Sequence, residues 1–264
     1  LVSVIMAAYN ADKYIVATIE SVLAQTYHNW ELIIADDVST DDTRKIIDIY
    51  TGKDPRISGF TLEKNSGQAI ARNQAVARSR GTYLVILDAD DIALPHRLET
   101  QVAYMEQHPE IAALGSAVDL INPAGDIIGK KEKSESYEEI KFKLLLQTQL
   151  IHSTVTMRRN VFLDTGGYDT EYNHAEDYDL WSRMSARGLK LANLPDILVQ
   201  YRIHGDSVSF SSATQPAQTK RALRINTRNI KLLAFAMGAT FGGVSGGLFA
   251  AFQGFVSPES FTLL

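Results

Sequence analysis

The chain has 264 residues, a formal net charge of −5 and no cysteine. The length allows one large domain or two small ones, and the acidic balance excludes the basic footprint of a nucleic-acid-binding protein. The lack of cysteine excludes disulfides, thiolate zinc sites and cysteine nucleophiles, and it fits a reducing compartment. Residues 1–6 lack the charged region and cleavage pattern of a secretory signal, so we expect a cytoplasmic protein.

The first 110 residues alternate predicted strands and helices. Strands are predicted at 2–8, 32–35, 57–62 and 82–87. The predicted helices carry these end signals: a cap at Asn10, a cap at Ser39 or Thr40, a stop at Gly81 after Arg80, and a start at Pro95. This alternation predicts βαβ units and a parallel sheet, so we expect an α/β fold with helices on both faces.

Residues 111–224 have a mixed α+β character. Strands are predicted at 111–121, 126–128, 153–158 and 197–203, and helices at 135–149 and 176–187. We expect this half to pack against the carboxyl ends of the first sheet, within one domain.

Asp88 and Asp90 follow an apolar run that is typical of a strand buried on both faces. In extended backbone, residues two apart project to the same side, so the two carboxylates would form a site for Mg²⁺ or Mn²⁺ and a substrate phosphate. A turn followed by a helix cap explains the same residues equally well. Asp91 falls out of the alternation, and we expect it to serve the turn and the start of the next helix.

Polar residues also follow the first two predicted strands, at Tyr9-Asn10 and at Asp36-Asp37. The carboxyl ends of parallel strands share one edge of the sheet, where open α/β sheets bind ligands. These residues and the Asp88–Asp90 pair are therefore predicted to line one crevice.

Five motifs in this order resemble those of the family 2 glycosyltransferases of the GT-A fold, over residues 1–210: VSVIMAAYN (2–10), ELIIADDVSTDDT (31–43), Asn65-Ser66-Gly67 with Ala71-Arg72-Asn73, LDADD (87–91) and EDYDLW (176–181). The resemblance implies a nucleotide-sugar-binding half (1–110) and an acceptor-binding, catalytic half (111–224).

The resemblance also implies a nucleotide-sugar site, with a UDP-sugar favoured, made of Ala8, Tyr9, Asn10, Asp36, Asp37, Gly67, Arg72, Asp88 and Ala89. Asp36 would accept a hydrogen bond from the base, although it also suits a turn. Arg72 would pair with phosphate or an aspartate, or lie solvated on its helix.

The resemblance also implies a metal, Mn²⁺ or Mg²⁺, held by Asp90, Asp88 and His204. His204 is otherwise a surface-loop histidine. Asp177 would be the base that removes the proton from the acceptor hydroxyl in an inverting transfer, although acids at a helix N-terminus need no catalytic role. Glu176, Trp181 and His152 are candidates for the acceptor side or for supporting contacts, with core packing the competing role for Trp181.

The resemblance has two local departures. Ala8 stands where the family usually has proline, and Val38 and Asp42 stand where it usually has glycine. A β-branched residue is poor at positive φ. We therefore expect either a different turn at Val38 or weaker nucleotide binding.

The segment 225–264 has a different character. Residues 232–256 carry no charge, and the segment resembles part of a branched-chain amino acid ABC-transporter permease. A membrane span, a buried helix or an artificial junction would each explain it, so we expect contact with the inner face of the plasma membrane only if the tail is natural.

The leading functional hypothesis is a metal-dependent hexosyltransferase that acts on saccharide or lipid-linked acceptors. A non-catalytic membrane-associated accessory protein and a nucleotidyltransferase are the alternatives.

Overall fold

The computed structural model describes residues 1–145, 147–172 and 174–205. Within these residues one sheet has nine strands: β1 (Val2–Ala8), β2 (Trp30–Asp36), β3 (Ile57–Thr61), β4 (Tyr83–Ile86), β5 (Ile92–Ala93), β6 (Ile111–Ile121), β7 (Ile127–Lys131), β8 (Thr156–Arg158) and β9 (Lys190–Arg202). The α-helices of the same residues are α1 (Ile15–Leu23), α2 (Thr43–Lys53), α3 (Gln68–Arg78), α4 (Arg97–Gln107), α5 (Tyr137–Lys143), α6 (Arg159–Thr165) and α7 (Glu176–Ala186). Short 3₁₀ turns lie at His152–Thr154 and Thr170–Tyr172.

The strand order is β3-β2-β1-β4-β8-β6-β9-β5, and β7 pairs with β6. In the first half, β1, β2, β3 and β4 pair in parallel, whereas the short β5 is antiparallel to β9. β8 is antiparallel to both β4 and β6, whereas β6 and β9 are parallel. The parallel first half and the mixed second half are thus confirmed, and the pairing of β4 with β8 makes them one continuous sheet.

The centre of the sheet is buried because β1 and β2 are apolar on both faces. Val4, Met6 and Leu32 pack in one cluster with Ile19 of α1 and Leu98 of α4. Each such side chain contributes roughly 1.5–3 kcal/mol on full burial. This rigid centre fixes the positions of the strand ends.

Several predicted helix ends are wrong. α1 begins at Ile15, and Asn10 has φ 49° instead of capping it. α2 begins after Asp42, so neither Ser39 nor Thr40 is its cap. α3 ends at Arg78, and Gly81 is needed for a different reason: a Cβ there would lie 2.6 Å from the backbone nitrogen of Ser3.

In the second half, the predicted helix 135–149 is wrong in its length, because α5 covers only Tyr137–Lys143. The strand predicted at 153–158 begins at Thr156, after the 3₁₀ turn. β9 begins seven residues before the predicted 197 and passes through Pro195, where its register against β6 is irregular. Pairing with the long strand β6 therefore outweighs the tendency of Pro195 to interrupt a strand.

Among the described residues, no helix is both long and apolar enough to cross a membrane. The predictions made for 225–264, including the permease resemblance, lie outside the described residues.

Candidate active site

The ends of β1, β2 and β4 are adjacent, as predicted for one crevice. Ala8 is in register with Asp36, and the backbone nitrogen of Asp37 donates to the carbonyl of Ala8 over 2.8 Å. Tyr9 follows directly and is 52% exposed. An exposed aromatic ring beside buried carboxylates gives this edge of the sheet a flat apolar surface and hydrogen-bond acceptors together.

Asn10 connects the loops that follow β1 and β2. Its side-chain oxygen accepts a hydrogen bond from the backbone nitrogen of Thr40 over 2.8 Å, and its own backbone nitrogen donates to the hydroxyl of Ser39 over 3.0 Å. The residue therefore holds the rim of the crevice in place, which explains why it does not cap α1.

Asp36 and Asp37 are both buried but have different partners. One Asp36 oxygen accepts from the Ser39 backbone nitrogen and the other from the Thr61 hydroxyl, both over 3.1 Å. The two oxygens of Asp37 accept from the backbone nitrogens of Ser66 and Gly67, over 2.7 and 2.8 Å. Asp37 thus fixes the loop before α3, in which Gly67 has a φ of 87°.

Val38 adopts φ 63°, so the turn after β2 is left-handed although a β-branched residue occupies it. The sequence led us to expect either a different turn at Val38 or weaker nucleotide binding, and the first of these expectations is wrong. This conformation costs a non-glycine residue on the order of 1–3 kcal/mol.

Asp88 and Asp90 lie beyond the end of β4, in a turn in which the backbone nitrogen of Asp91 donates to the carbonyl of Asp88. The expectation that extended backbone points both carboxylates the same way is wrong, because the chain has left the strand. One Asp88 oxygen accepts from Nη2 of Arg72 over 2.7 Å, whereas Asp90 contacts Nε2 of His204 over 2.9 Å. Ala89, between them, is buried and its carbonyl accepts from the Thr18 hydroxyl.

Asp91 is buried and accepts from the backbone nitrogen of Arg202 over 2.8 Å. It therefore holds the end of β9 and does not cap α4, contrary to expectation. The side chain of Arg202 donates to the carbonyl of Asp90 over 2.8 Å and lies 4.8 Å from the centre of the Tyr14 ring.

Arg72 is a buried cation between two acids. Its Nη1 donates to Glu176 over 2.8 Å, and its Nη2 donates to Asp88. Burial alone would lower the pKa of Arg72, but the charges of Asp88 and Glu176 outweigh it and raise that pKa. Burial likewise opposes ionisation of Asp88, yet Arg72 keeps the pKa of Asp88 below its usual value. The solvated-helix alternative for Arg72 is therefore wrong.

Asp90 and His204 are the described residues that would hold a divalent cation. Their facing atoms are 2.9 Å apart, which is about the separation of neighbouring ligands around an octahedral ion. The described residues contain no group of three histidine or acidic side chains close enough to complete a cage. A pair of protein ligands fits Mg²⁺ or Mn²⁺, which usually keeps water and binds substrate phosphates. His204 is held against the ring of Tyr14, with 4.9 Å between ring centres.

Asp177 lies half-buried in the first turn of α7, next to the buried Glu176. Burial, followed by the negative charge of Glu176, raises the pKa of Asp177 to about 7. A carboxylate with this pKa can hold or release a proton near neutral pH. Oε2 of Glu176 has no hydrogen-bond partner among the described residues, so this side chain acts through its bond to Arg72.

Trp181 is fully buried, so the prediction that it could contact a sugar is wrong and core packing is confirmed. His152 lies edge-on to this ring and contacts the hydroxyl of Tyr168 over 2.8 Å. Burial and the charge of Arg72 lower the pKa of His152 to about 3. His152 is therefore a neutral hydrogen-bonding group at neutral pH.

Sequence reasoning missed three residues of this site. The Ser153 hydroxyl accepts from the backbone nitrogen of Asp88 over 3.1 Å. Tyr168 is positioned by Asn73, whose amide exchanges hydrogen bonds of 2.7 and 3.0 Å with its backbone. Arg202 was given no role of its own, although it stands two residues before His204. In the sequence, only the adjacent glycines Gly166 and Gly167 indicate a tight turn before Tyr168. Both have positive φ in the structure.

The parallel half-sheet with acids at its carboxyl edge, joined to a mixed half that supplies a further acid, defines a GT-A-like nucleotide-dependent transferase. The family model "Glycosyl transferase family 2" matches residues 3–166. The chain belongs to this family, and it is a glycosyltransferase.

Relatives and solved structures agree with this assignment. An uncharacterized glycosyltransferase of Haemophilus influenzae is 36% identical over 239 residues, which is 87% of this chain and 73% of that protein. The Escherichia coli protein WfgD, named a UDP-Glc:alpha-D-GlcNAc-diphosphoundecaprenol beta-1,3-glucosyltransferase, is 35% identical over 79% of each chain. A crystal structure of S. aureus TarS 1-349 in complex with UDP-GlcNAc has a TM-score of 0.69 at 20% identity, over 98% of this chain and 77% of that one. The TarS likeness shows the fold.

Proposed function

We propose that the protein transfers a hexose from a nucleoside diphosphate sugar, with UDP favoured, to a hydroxyl group of a saccharide or lipid-linked acceptor. The product belongs to polysaccharide or glycolipid synthesis, and the reaction inverts the anomeric carbon. The observation that carries this proposal is the Arg72 bridge, which holds the Asp88 turn and the Glu176-Asp177 pair in one site. The UDP-containing TarS complex and the named substrates of WfgD support the choice of donor and acceptor.

In the proposed reaction, the acceptor oxygen forms a bond to the anomeric carbon as the bond from that carbon to the donor phosphate breaks. Asp177 receives the proton of the acceptor hydroxyl, which its pKa of about 7 permits near neutral pH. The bound cation would stabilise the charge that develops on the leaving nucleoside diphosphate. Asp90 and His204 would hold the cation, while Arg72 keeps Asp88 ionised beside it.

On the nucleotide side, the exposed ring of Tyr9 would stack on the base. Asp36 retains unused acceptor capacity, because each of its oxygens receives one hydrogen bond. A base N–H would therefore find a partner at the end of β2.

A membrane-embedded acceptor would place the protein at the inner face of the plasma membrane.

The decisive experiment is thermal denaturation with UDP, with and without Mn²⁺. Wild-type protein should be stabilised by UDP and more strongly by UDP with Mn²⁺. Asp90→Ala should lose the contribution of Mn²⁺, whereas the exposed control Asp42→Ala should behave as wild type. A wild-type protein that responds to no nucleoside diphosphate would instead favour a non-catalytic accessory role.

A further inference from the structure

Residues 132–136, here called the strap, connect β7 to α5 and lie against β9. The side-chain amide of Asn193 donates to the carbonyl of Ser134 over 2.6 Å, and the Asn193 backbone nitrogen donates to the carbonyl of Glu135 over 3.4 Å. Lys133 directly precedes these two anchors in the sequence and is half-buried. Its ammonium donates to the carbonyl of Thr148 over 3.0 Å, so it is held between two segments of chain.

Two other lysines, Lys131 and Lys143, act on the charge of Lys133. Burial, and then the charge of Lys131, lower the pKa of Lys133, and Lys143 acts in the same direction. Lys143 has its own partners, Glu139 and the hydroxyl of Ser134. Lys133 forms no ion pair with a carboxylate of the described residues, and the negative charge of Asp177 acts to raise its pKa.

A half-buried ammonium beside two other lysines opposes folding unless an anion offsets it. The strap nevertheless anchors this ammonium near the start of α7, because the hydroxyl of Tyr178, next to Asp177, donates to the carbonyl of Leu144, next to Lys143, over 2.9 Å. Lysine is a common point-charge ligand of phosphate.

We propose that Lys133, with Lys131 and Lys143, binds a phosphoryl group of the acceptor next to the hydroxyl that Asp177 deprotonates. This inference rests on the proposed function, and it adds that the acceptor is anionic close to its reacting sugar. The phosphoryl group could belong to the diphosphate of a carrier lipid or to a phosphodiester of a polymer. Both offer oxygens to the same three ammonium groups.

The test uses the full chain saturated with UDP and excess Mg²⁺, so that the donor side is occupied. Three N-acetylglucosamine probes are titrated calorimetrically: a short-chain alkyl diphosphate, a methyl phosphodiester and a neutral octyl glycoside. Wild-type protein should bind at least one phosphorylated probe about tenfold more tightly than the glycoside. Tight binding of the diphosphate alone identifies the carrier lipid as the source, and tight binding of the phosphodiester identifies a polymer.

Lys133→Gln should reduce the preference to about threefold or less, and the exposed Lys131→Gln should reduce it in part. Lys130→Gln is the matched control, because Lys130 pairs with Glu132 on the same strand end, and it should keep the full preference. UDP affinity, measured on each sample, reports folding and the proposed function separately. Equal binding of all probes by wild-type protein, or an unchanged preference in both Lys133→Gln and Lys131→Gln, would overturn the inference.

Discussion

Nη1 of Arg72 donates a 2.8 Å hydrogen bond to Oε1 of Glu176, 104 residues further along the chain. Both side chains are almost completely buried, with 3% and 2% of their surface exposed. Nη2 of the same guanidinium reaches Asp88. One buried cation therefore fixes the distance between the turn after β4 and the acids at the start of α7.

Replacing Arg72 with methionine should lower the free energy of unfolding by about 3–5 kcal/mol, because two acids would lose their cation. Urea denaturation measures this difference. The control is Arg78→Met on the same helix, where the exposed guanidinium stacks over Phe60. We expect that control to change stability by less than about 1 kcal/mol. Equal losses in the two variants would show that the bridge contributes nothing specific.

Asp177→Asn should retain UDP binding but reduce transfer by a factor of about 10²–10⁴, because the amide cannot accept the proton. Steady-state turnover with a nucleotide-sugar donor, alongside UDP titration, measures both quantities. In wild-type protein, kcat/KM should fall as pH drops below about 7, since Asp177 is then protonated. Turnover that persists in Asp177→Asn would assign the base to another residue.

The same substitution should stabilise the protein at high pH. The pKa of Asp177 is raised in the folded state, so its contribution is present below the unfolded value and is lost as pH rises through about 7. The stability of Asp177→Asn relative to wild type should therefore increase between about pH 4 and 7 and then level off. Urea denaturation at four pH values would detect this. A pH-independent difference would mean that the pKa is not raised.

The parallel half of the fold was predictable because its strands are continuous apolar runs, and β1 begins and ends as expected. The crevice residues Tyr9, Asp36 and Asp88 were predictable for the same reason, since strand ends meet at one edge. Helix ends were less predictable. Asn10 has the chemistry of a helix cap, but a partner 30 residues away uses its side-chain oxygen.

The second half was harder to predict because distant partners decide its structure. Nothing near Tyr168 in sequence shows that Asn73, 95 residues earlier, would hold it. Arg202 likewise depends on a turn more than 100 residues before it. These contacts form only once the two halves share a sheet, so no local pattern encodes them.

Val38→Gly should raise the free energy of unfolding by about 1 kcal/mol. Relief of strain at φ 63° outweighs the greater entropy of glycine in the unfolded chain. Urea denaturation measures the effect, with Val38→Ala as the control that keeps a Cβ at positive φ. The expected order of stability is glycine above alanine. A glycine variant less stable than wild type would show that the half-buried valine side chain is worth more than the strain.

Gly81→Ala and Gly52→Ala should have opposite effects. At Gly81 a Cβ would lie 2.6 Å from the Ser3 backbone nitrogen, so β1 must shift, and we expect a loss of about 1–3 kcal/mol. Gly52 lies in α2 with nothing within 4 Å of an added Cβ. Alanine there should add about 0.5–1 kcal/mol of stability. Thermal or urea denaturation of both variants decides the matter, and a stable Gly81→Ala would disprove the close packing.

His204→Ala should weaken the binding of Mn²⁺ to the UDP-loaded protein by about tenfold or more, because one of two proposed protein ligands is lost. UDP affinity in the presence of EDTA should stay unchanged, since no part of the nucleotide pocket is altered. Titration of Mn²⁺ followed by electron paramagnetic resonance measures the free ion directly. The control is His96→Ala, an exposed histidine just before α4. Tyr14→Leu, which removes the ring against His204, should have a smaller effect of the same sign. If His204→Ala binds Mn²⁺ as wild type does, the ring pairs with Asp90 for structure alone and the cation site lies elsewhere.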